Sequence, residues 1–432
     1  MGSKLHRLQV VNAVEASELD LPERVEVALK EIAGAAKEGL LALSVGVGLA
    51  VLAELMEEEV TEAVGPKGRH TAARRAYRHG HEPGEVTLGG RRLCVERPRV
   101  RAKDGSGEVA LRSYRHFADR DPFTRVVLER MLAGVSCRRY ARTQEPVGSE
   151  VEERARSTSK SAISRRLVER TRQAFAELMG RRLDGVRLAV LMIDGIELKG
   201  TMNVVALGIR HDGVKVPLGL WEGSTENAAV ATALLSDLVE RGLDVSEGVL
   251  VCIDGAKALR KAARQVLGER TPVQRCIRHK ERNVEDHLPE RERAQVRRKL
   301  RAAWAEPDYG RALASLQALA RELERPHPGA AASLREGLEE TLTLTRLGVT
   351  GSLKATLAST NPIESMIEIV RRTQRNVKRW QDGEMGMRWT AAGMLEAERQ
   401  FRRVIGYREL PALVFALEHE LKSTEEAAMV AA

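Results

Sequence analysis

Cysteine and aromatic residues are scarce in this chain of 432 residues. The four cysteines lie far apart and form no Cys-x-x-Cys pair; they are Cys94, Cys137, Cys252 and Cys276. This pattern excludes a disulfide framework and a zinc ribbon, and it is typical of a reducing compartment. Aromatic residues make up only 3% of the chain, so its cores must consist mainly of Ala, Leu and Val.

Long apolar segments are lacking as well. The uncharged run at 39–53 is flanked by glutamates and is shorter than the roughly 18 residues that a membrane span needs. We expect it to be a buried or oligomerising helix. The N-terminus mixes acidic and basic residues, unlike a signal peptide. The sequence therefore predicts a soluble cytoplasmic protein with no membrane partner.

Basic residues are in excess, with a net charge of +9 and a pI of about 9.5. The excess is concentrated in residues 69–142, where 18 Lys and Arg face 8 Asp and Glu, a local charge of +10. Such a concentration favours a polyanionic partner, above all nucleic acid. The alternative is a basic surface with no partner. The length predicts two or three domains.

The N-terminal part of the chain changes character near residue 67. Residues 21–64 have helical apolar spacing, and we take 1–66 as a helical region that contributes to oligomerisation. Residues 67–180 form a predicted DNA-binding region with a small β element, since 85–90 and 92–100 read as strands.

A helix-turn-helix is predicted within this second region. Gly134-Val-Ser interrupts a helical stretch, and a serine-rich segment then begins another basic helix. The side chains expected to face a DNA groove or its phosphates are Lys160, Ser164, Arg165 and Arg166. An ordinary helical connector with solvated charges is the alternative.

Strand-like and helix-like segments then alternate. Three strand-like runs precede a helix, after which strands and helices follow in turn up to residue 287. Three consecutive strands followed by alternation predict an α/β catalytic domain of ribonuclease-H-like type, with 181–287 as its first part. Residues 288–350 carry no strand signal and predict an α-helical insertion. Residues 351–432 are expected to complete the catalytic domain.

Three carboxylates are the strongest chemical signal. Asp194 and Asp254 each end an apolar, strand-like run and are each followed by glycine, while Glu364 follows Thr360-Asn-Pro-Ile, a predicted helix start. Aspartates at the tips of adjacent buried strands would meet side by side. Three converging carboxylates can hold two divalent cations about 4 Å apart for phosphodiester chemistry. The alternative is that both Asp-Gly pairs are merely turns.

Two further groups of residues accompany the acids. Cys276 and His279 lie on one helix face and could begin a zinc site or a Cys/His nucleophile, but no second pair at ligand spacing completes either. We therefore assign them a supporting role near the acids. Basic residues follow Glu364 and are expected to contact phosphates rather than form a solvated face; they are Arg371, Arg372 and Arg375, with Lys378 and Arg379 beyond them.

These motifs, in order, resemble those of the bacterial Mutator-type insertion-sequence transposases. The matching segments are Asp194-Gly-Ile-x-Leu-Lys, Asp254-Gly-Ala-x-x-Leu, Gln274-Arg-Cys-x-x-His-x-x-Arg-Asn-Val and Thr360-Asn-Pro-Ile-Glu-Ser. The similarity runs from about residue 76, through Gly134-Val-Ser, to about residue 407, and the Cys-x-x-His segment is its most specific part. One departure is that Gly-Ala follows the second acid, where many members have Ala-His.

The resemblance implies a DDE catalytic domain of ribonuclease-H type, interrupted by a helical insertion, and an N-terminal DNA-binding region. It places Asp194, Asp254 and Glu364 at the catalytic, metal-binding positions, with Cys276 and His279 as an accessory motif. The implied cofactor is Mg²⁺ or Mn²⁺, two ions per active site. The implied partners are double-stranded DNA, as terminal inverted repeats and target, and further copies of the chain in a homodimer or higher oligomer.

The expected function is therefore a DNA transposase that binds insertion-sequence ends and catalyses strand cleavage and transfer. Two alternatives remain open from the sequence. One is a domesticated DNA-binding regulator without transposition activity, which the intact acid triad disfavours. The other is a nuclease that cuts without joining, which the basic N-terminal region and the long insertion disfavour.

Overall fold

The structure is a computed structural model. It describes residues 40–69, 74–88, 91–119, 129–135, 140, 155–156, 160–198, 201–223, 227–375, 377, 379–380 and 383–431. The chain divides into two compact units, one of residues 1–130 and 135–167, the other of residues 131–134 and 168–432. Within the described ranges, no helix has the length and apolarity that crossing a bilayer requires.

The first unit contains a helix packed on a β-hairpin. Its described elements are α1 (Leu40–Val64), β1 (Ala76–Leu88), β2 (Arg91–Ala102), α2 (Arg112–Asp119) and β3 (Ala155–Arg156). Strands β1 and β2 are antiparallel, which confirms the predicted hairpin. Leu52, Met56 and Val60 recur at helical spacing and form one core with Val86 and Leu93. The predicted N-terminal helix is confirmed from residue 40 onwards.

The predicted helix-turn-helix lies mostly outside the described residues. Residues 136–139, 141–154 and 157–159 are not among them, so this motif stays a prediction. The basic helix predicted after it is present as α3 (Lys160–Gly180), whereas the residues expected to open and cap it, 157–159, lie outside the described part.

The second unit is built on a five-stranded mixed sheet, so this part of the chain is α/β. Its strands are β4 (Leu188–Leu198), β5 (Thr201–Arg210), β6 (Lys215–Gly223), β7 (Leu250–Ile253) and β8 (Val273–Arg275). Their order across the sheet is β6-β5-β4-β7-β8. Strand β5 pairs antiparallel with both β4 and β6. Strand β7 pairs in parallel with both β4 and β8.

Helices flank the two strands that pair in parallel with β4, and the helix between β7 and β8 makes the crossover that such a pair requires. They are α4 (Ala228–Glu240), α5 (Lys257–Leu267) and α6 (Ile277–Glu285). Leu191 and Ile193 from the sheet form a core with Leu234 and Leu238 of α4 and Ala262 of α5. All six residues of the run 188–193 are buried, as the continuous apolar stretch predicted.

Residues 288–350 are helical, as predicted. Their elements are α7 (Glu290–Ala305), α8 (Tyr309–Leu323), α9 (Pro328–Arg335), a 3₁₀ turn (Glu339–Leu342) and α10 (Thr343–Arg346). Leu300, Trp304, Leu316 and Leu334 belong to a hydrophobic core distinct from that of the sheet. The chain then continues through α11 (Gly351–Leu357), α12 (Asn361–Gln374), α13 (Gly383–Gln400), a 3₁₀ turn (Tyr407–Glu409) and α14 (Leu410–Ala431).

Candidate active site

Asp194 and Asp254 occupy matching positions on neighbouring strands. Ile193 of β4 pairs in parallel register with Ile253 of β7, and each is followed directly by one of the two aspartates. The expectation that Asp194 ends its strand is wrong. Strand β4 runs on to Leu198 because β5 pairs with it antiparallel along this whole stretch, whereas β7 stops at Ile253. Asp194 therefore lies where β4 loses its parallel neighbour.

Asp194 is half-buried and feels the negative charges of two other acids. Its Oδ1 accepts a 2.8 Å hydrogen bond from the Gly195 backbone N–H. The pKa of the Asp194 carboxyl is raised from 3.8 to about 6, mainly by burial and also by the negative charges of Asp254 and Glu364. The Gly195 hydrogen bond and the charge of His279 oppose this rise. A carboxylate held in this way gains from a nearby cation.

Asp254 belongs to a turn that Arg275 braces. Its Oδ1 accepts a 2.8 Å hydrogen bond from Ala256 N–H, and Gly255 between them has a φ of 122°. Arg275, on β8, donates to the Gly255 carbonyl at 2.8 Å and to the Glu336 carbonyl at 2.9 Å. One buried guanidinium thus ties the turn after Asp254 to the residue that follows α9 in the helical segment. Sequence reasoning missed this role, although Arg275 stood within a noted motif.

Glu364 lies on the first turn of α12, as predicted. Thr360 is the residue preceding the helix and Pro362 sits in its first turn. The Thr360 hydroxyl makes no capping bond to the backbone. It donates instead to Glu364 Oε1 at 2.5 Å, and Thr360 itself is fully buried. This hydroxyl restricts where the glutamate carboxylate can lie.

Cys276 and His279 meet the same threonine. Cys276 follows β8 at the start of α6, one turn before His279. The Thr360 N–H donates to Cys276 Sγ at 3.4 Å, and the Thr360 hydroxyl lies 3.4 Å from His279 Nδ1. His279 Nδ1 is 3.9 Å from Glu364 Oε1. Thr360 therefore contacts all three side chains, a link that no spacing in the sequence indicated.

Hydrogen bonds within this group shift the pKa values of Cys276 and His279 in opposite directions. Burial alone would raise the pKa of the Cys276 thiol, but hydrogen bonds from His279 and Thr360 bring that pKa below its usual value. The hydrogen bond to Cys276 raises the pKa of His279 against the effect of burial, with help from the charges of Cys276, Asp254 and Glu364. Both shifts favour a thiolate beside an imidazolium.

Possible metal-ligand atoms lie close together around Cys276, His279 and Glu364. Among the described residues, the three side chains whose ligand atoms all lie within 4.8 Å of one another are Cys276, His279 and Glu364, rather than the three acids. A wider separation of the three acids is compatible with two metal ions. Two ions about 4 Å apart, each about 2 Å from its ligands, can bind carboxylate oxygens that are several ångströms apart.

The predicted DNA-contact residues differ in their surroundings. Arg371 and Arg375 are exposed near the C-terminal end of α12, and the exposed Arg372 donates to Gln400 at 3.1 Å. In α3, Arg165 is exposed and Arg166 is half-buried. Lys160 begins this helix, but its side chain is outside the described part. Lys378 is also outside it, and Arg379 is exposed.

Residues 24–404 match the protein family described as Transposase, Mutator family. The chain is 28% identical over 390 residues to the transposase for insertion sequence element ISRM5 of Rhizobium meliloti, covering 88% of this chain and 92% of that protein. It is 27% identical over 339 residues to the transposase for insertion sequence element IS256 in transposon Tn4001 of Staphylococcus aureus, covering 76% and 83%. A transposase of Mycobacterium tuberculosis, for insertion sequence element IS1081, is 28% identical over 319 residues, covering 71% and 72%.

Proposed function

Because the chain belongs to the Mutator family of transposases, we propose that it binds the ends of an insertion sequence, cleaves DNA there and joins the ends to target DNA. The relatives named above are transposases for insertion sequence elements. Cleavage and joining are both phosphodiester reactions, which one set of metal-binding carboxylates can serve in succession.

The placement of Asp194 and Asp254 carries this proposal. The two acids follow residues paired in register on parallel strands. Burial, with the negative charges of Asp254 and Glu364, raises the pKa of Asp194. Clustered carboxylates of this kind are costly unless a cation compensates them. Asp194, Asp254 and Glu364 are therefore our proposed catalytic residues.

The arrangement of the second unit supports a ribonuclease-H-like catalytic domain. Three antiparallel strands are followed by two parallel ones, and the strand order places β4 beside β7 at the centre of the sheet. The helical insertion separates β8 from α12, which carries Glu364. In this arrangement the three acids come from three different elements, as the DDE assignment requires.

The donor set fits Mg²⁺ or Mn²⁺, because carboxylate oxygens are the ligands that these hard cations prefer. We propose two ions per active site, held by Asp194, Asp254 and Glu364. Bound ions of this kind supply activation of the attacking hydroxyl and charge neutralisation at the leaving oxygen. The chain itself orients the acids: Gly195 and Ala256 bind one oxygen of each aspartate, and Thr360 binds one oxygen of Glu364.

The proposed partner is double-stranded DNA, as terminal inverted repeats and as target. The local charge of +10 in residues 69–142 supports this, since phosphate contacts supply most of the affinity of DNA-binding proteins. We assign phosphate or groove contacts to Lys160, Arg165, Arg166, Arg371, Arg372 and Arg375. We further propose that the chain acts in the cytoplasm, at the chromosome, as a homodimer or higher oligomer.

The decisive experiment is a strand-transfer assay with Mg²⁺ and DNA from the ends of the element that encodes the chain. Joined products from the wild-type protein, absent with Asp194→Asn, are the expected result. Binding without cleavage or joining would indicate the DNA-binding regulator instead. Cleavage that never leads to joining, with DNA carrying terminal repeats or lacking them, would indicate a nuclease.

A further inference from the structure

Cys276, His279 and Glu364 bring a sulfur, a nitrogen and an oxygen close together. Their ligand atoms all lie within 4.8 Å of one another. In the sequence, Cys-x-x-His lacked a second pair of ligands at zinc-binding spacing. The fold supplies the third ligand from α12, a separate element that begins at Asn361.

The distances suit a small tetrahedral cation. Zinc bonds of about 2.0–2.3 Å place neighbouring ligand atoms roughly 3.5 Å apart. His279 Nδ1 and Glu364 Oε1 are 3.9 Å apart. Side-chain movements of less than about one ångström would therefore bring the ligands to bonding distance.

The surroundings are those of a pre-formed site. Cys276 is 1% exposed, and its sulfur accepts a hydrogen bond from the Thr360 backbone N–H. The hydroxyl of the same threonine bonds to Glu364 Oε1. Metal sites depend on partners of this type, which orient the ligands before the ion arrives.

We propose that Cys276, His279 and Glu364 bind one Zn²⁺ ion, with the fourth position open to water. Sulfur and imidazole ligands select Zn²⁺ over Mg²⁺, which prefers oxygen. The site is therefore chemically distinct from the carboxylate site proposed above, although it shares Glu364 with it. Zinc binding itself does not depend on the proposed reaction.

The test uses the full-length chain, freed of metal by a chelator under reducing conditions. After incubation with Zn²⁺ and gel filtration, elemental analysis should find one zinc ion per chain. With Co²⁺ as a spectroscopic substitute, a thiolate-to-cobalt charge-transfer band should appear in the near ultraviolet. Cys276→Ser and His279→Gln should abolish that band or weaken Zn²⁺ binding more than about 100-fold, since even partners of metal ligands typically contribute 10–100-fold.

Two further variants sharpen the result. Cys94 is an exposed free thiol, so Cys94→Ser should leave zinc content and the cobalt band unchanged. The Glu364 side chain is 44% exposed, so Glu364→Gln should fold, as circular dichroism can verify, and should bind Zn²⁺ more weakly. Zinc content in Cys276→Ser equal to that of the wild type, or a cobalt complex without a thiolate band, would overturn the proposal. Neither measurement involves DNA. A failure of the zinc proposal can therefore be told apart from a failure of the protein to join DNA ends.

Discussion

Thr360 holds Glu364 through a 2.5 Å hydrogen bond from its hydroxyl to Oε1. The same residue gives its backbone N–H to Cys276 Sγ. The start of α12 is therefore fastened to the start of α6 at the point where the proposed catalytic glutamate stands. This relationship explains why a Cys-x-x-His motif accompanies the acids without needing to react itself.

Thr360→Val should lower the rate of strand transfer about 10–100-fold, the usual effect of removing a partner of a metal ligand. Valine keeps the shape of threonine but cannot donate to Glu364. Thr360→Ser should restore most of the rate. Thr356→Val is the matched control, because Thr356 also bonds through its hydroxyl, to Ser352 on α11. Equal losses in both valine variants would mean that Thr360 acts through helix stability alone.

Asp194→Asn, Asp254→Asn and Glu364→Gln should each reduce cleavage and joining more than about 100-fold, since a direct ligand matters more than its partners. Affinity for end DNA should stay near that of the wild type, because phosphate contacts dominate it. Glu368→Gln, an exposed position one turn further along α12, should keep full activity. Near-normal joining in any acid variant would remove that residue from the proposed metal site.

Asp194 should make the metal-free protein more stable in mild acid. Its folded pKa of about 6 lies above its ordinary value of 3.8, so the folded state binds the proton more tightly. This contribution is complete below pH 3.8 and is lost as the pH rises through about 6. Relative to Asp194→Asn, the wild type should gain about 1.4 kcal/mol of unfolding free energy between pH 7.5 and about pH 5.

Urea unfolding of both proteins at the two pH values measures this difference. Metal must be removed first, because a bound cation favours the ionised carboxylate and lowers its pKa. Identical pH dependence in the two proteins would show that burial does not perturb Asp194.

Arg275→Ala should destabilise the protein by about 2–4 kcal/mol, since the Gly255 and Glu336 carbonyls lose a charged donor. Gly255→Ala should also destabilise it, because φ is +122° and the added Cβ would meet the Arg275 guanidinium. Removing Arg275 relieves this clash. The loss of unfolding free energy in the double variant should therefore be smaller than the sum of the two single losses, by at least about 0.5 kcal/mol.

Arg241→Ala is the control for this cycle. Arg241 is also a buried arginine that donates to backbone carbonyls. Those carbonyls belong to Leu178 and Leu218, not to the residues that Arg275 binds. The losses of unfolding free energy caused by Arg241→Ala and Gly255→Ala should therefore add to within about 0.5 kcal/mol. Thermal or urea unfolding measures these free energies. Full additivity of Arg275→Ala and Gly255→Ala would count against the bracing role of Arg275.

Arg165→Ala and Arg371→Ala should each weaken binding of the full-length chain to end DNA. If each arginine contacts one phosphate, the slope of log affinity against log salt should become less steep by about 0.9. Both side chains are exposed. Arg335→Ala is the control, because that arginine is already paired with Glu324 at 2.7 Å. An unchanged slope in a variant would remove its arginine from the DNA contacts.

Local pattern was sufficient for most elements of the second unit. The apolar run at 188–193 predicted a buried strand, and the lack of strand signal in 288–350 predicted helices, because burial and periodicity are properties of neighbouring residues. The end of β4 was predicted too early. Gly195 looked like a terminator, but pairing with β5 extends the strand to Leu198, and that pairing depends on another segment.

The sequence by itself determined which residue types were available: two Asp-Gly pairs after apolar runs, a glutamate at a helix start and a Cys-x-x-His segment. Only the tertiary structure decided which of them meet. Cys276 and Thr360 are 84 residues apart, yet one backbone N–H joins them. A one-dimensional pattern carries spacing within an element, whereas contacts between elements follow from sheet order and core packing. For that reason the acids were predictable, and the threonine that holds Glu364 was not.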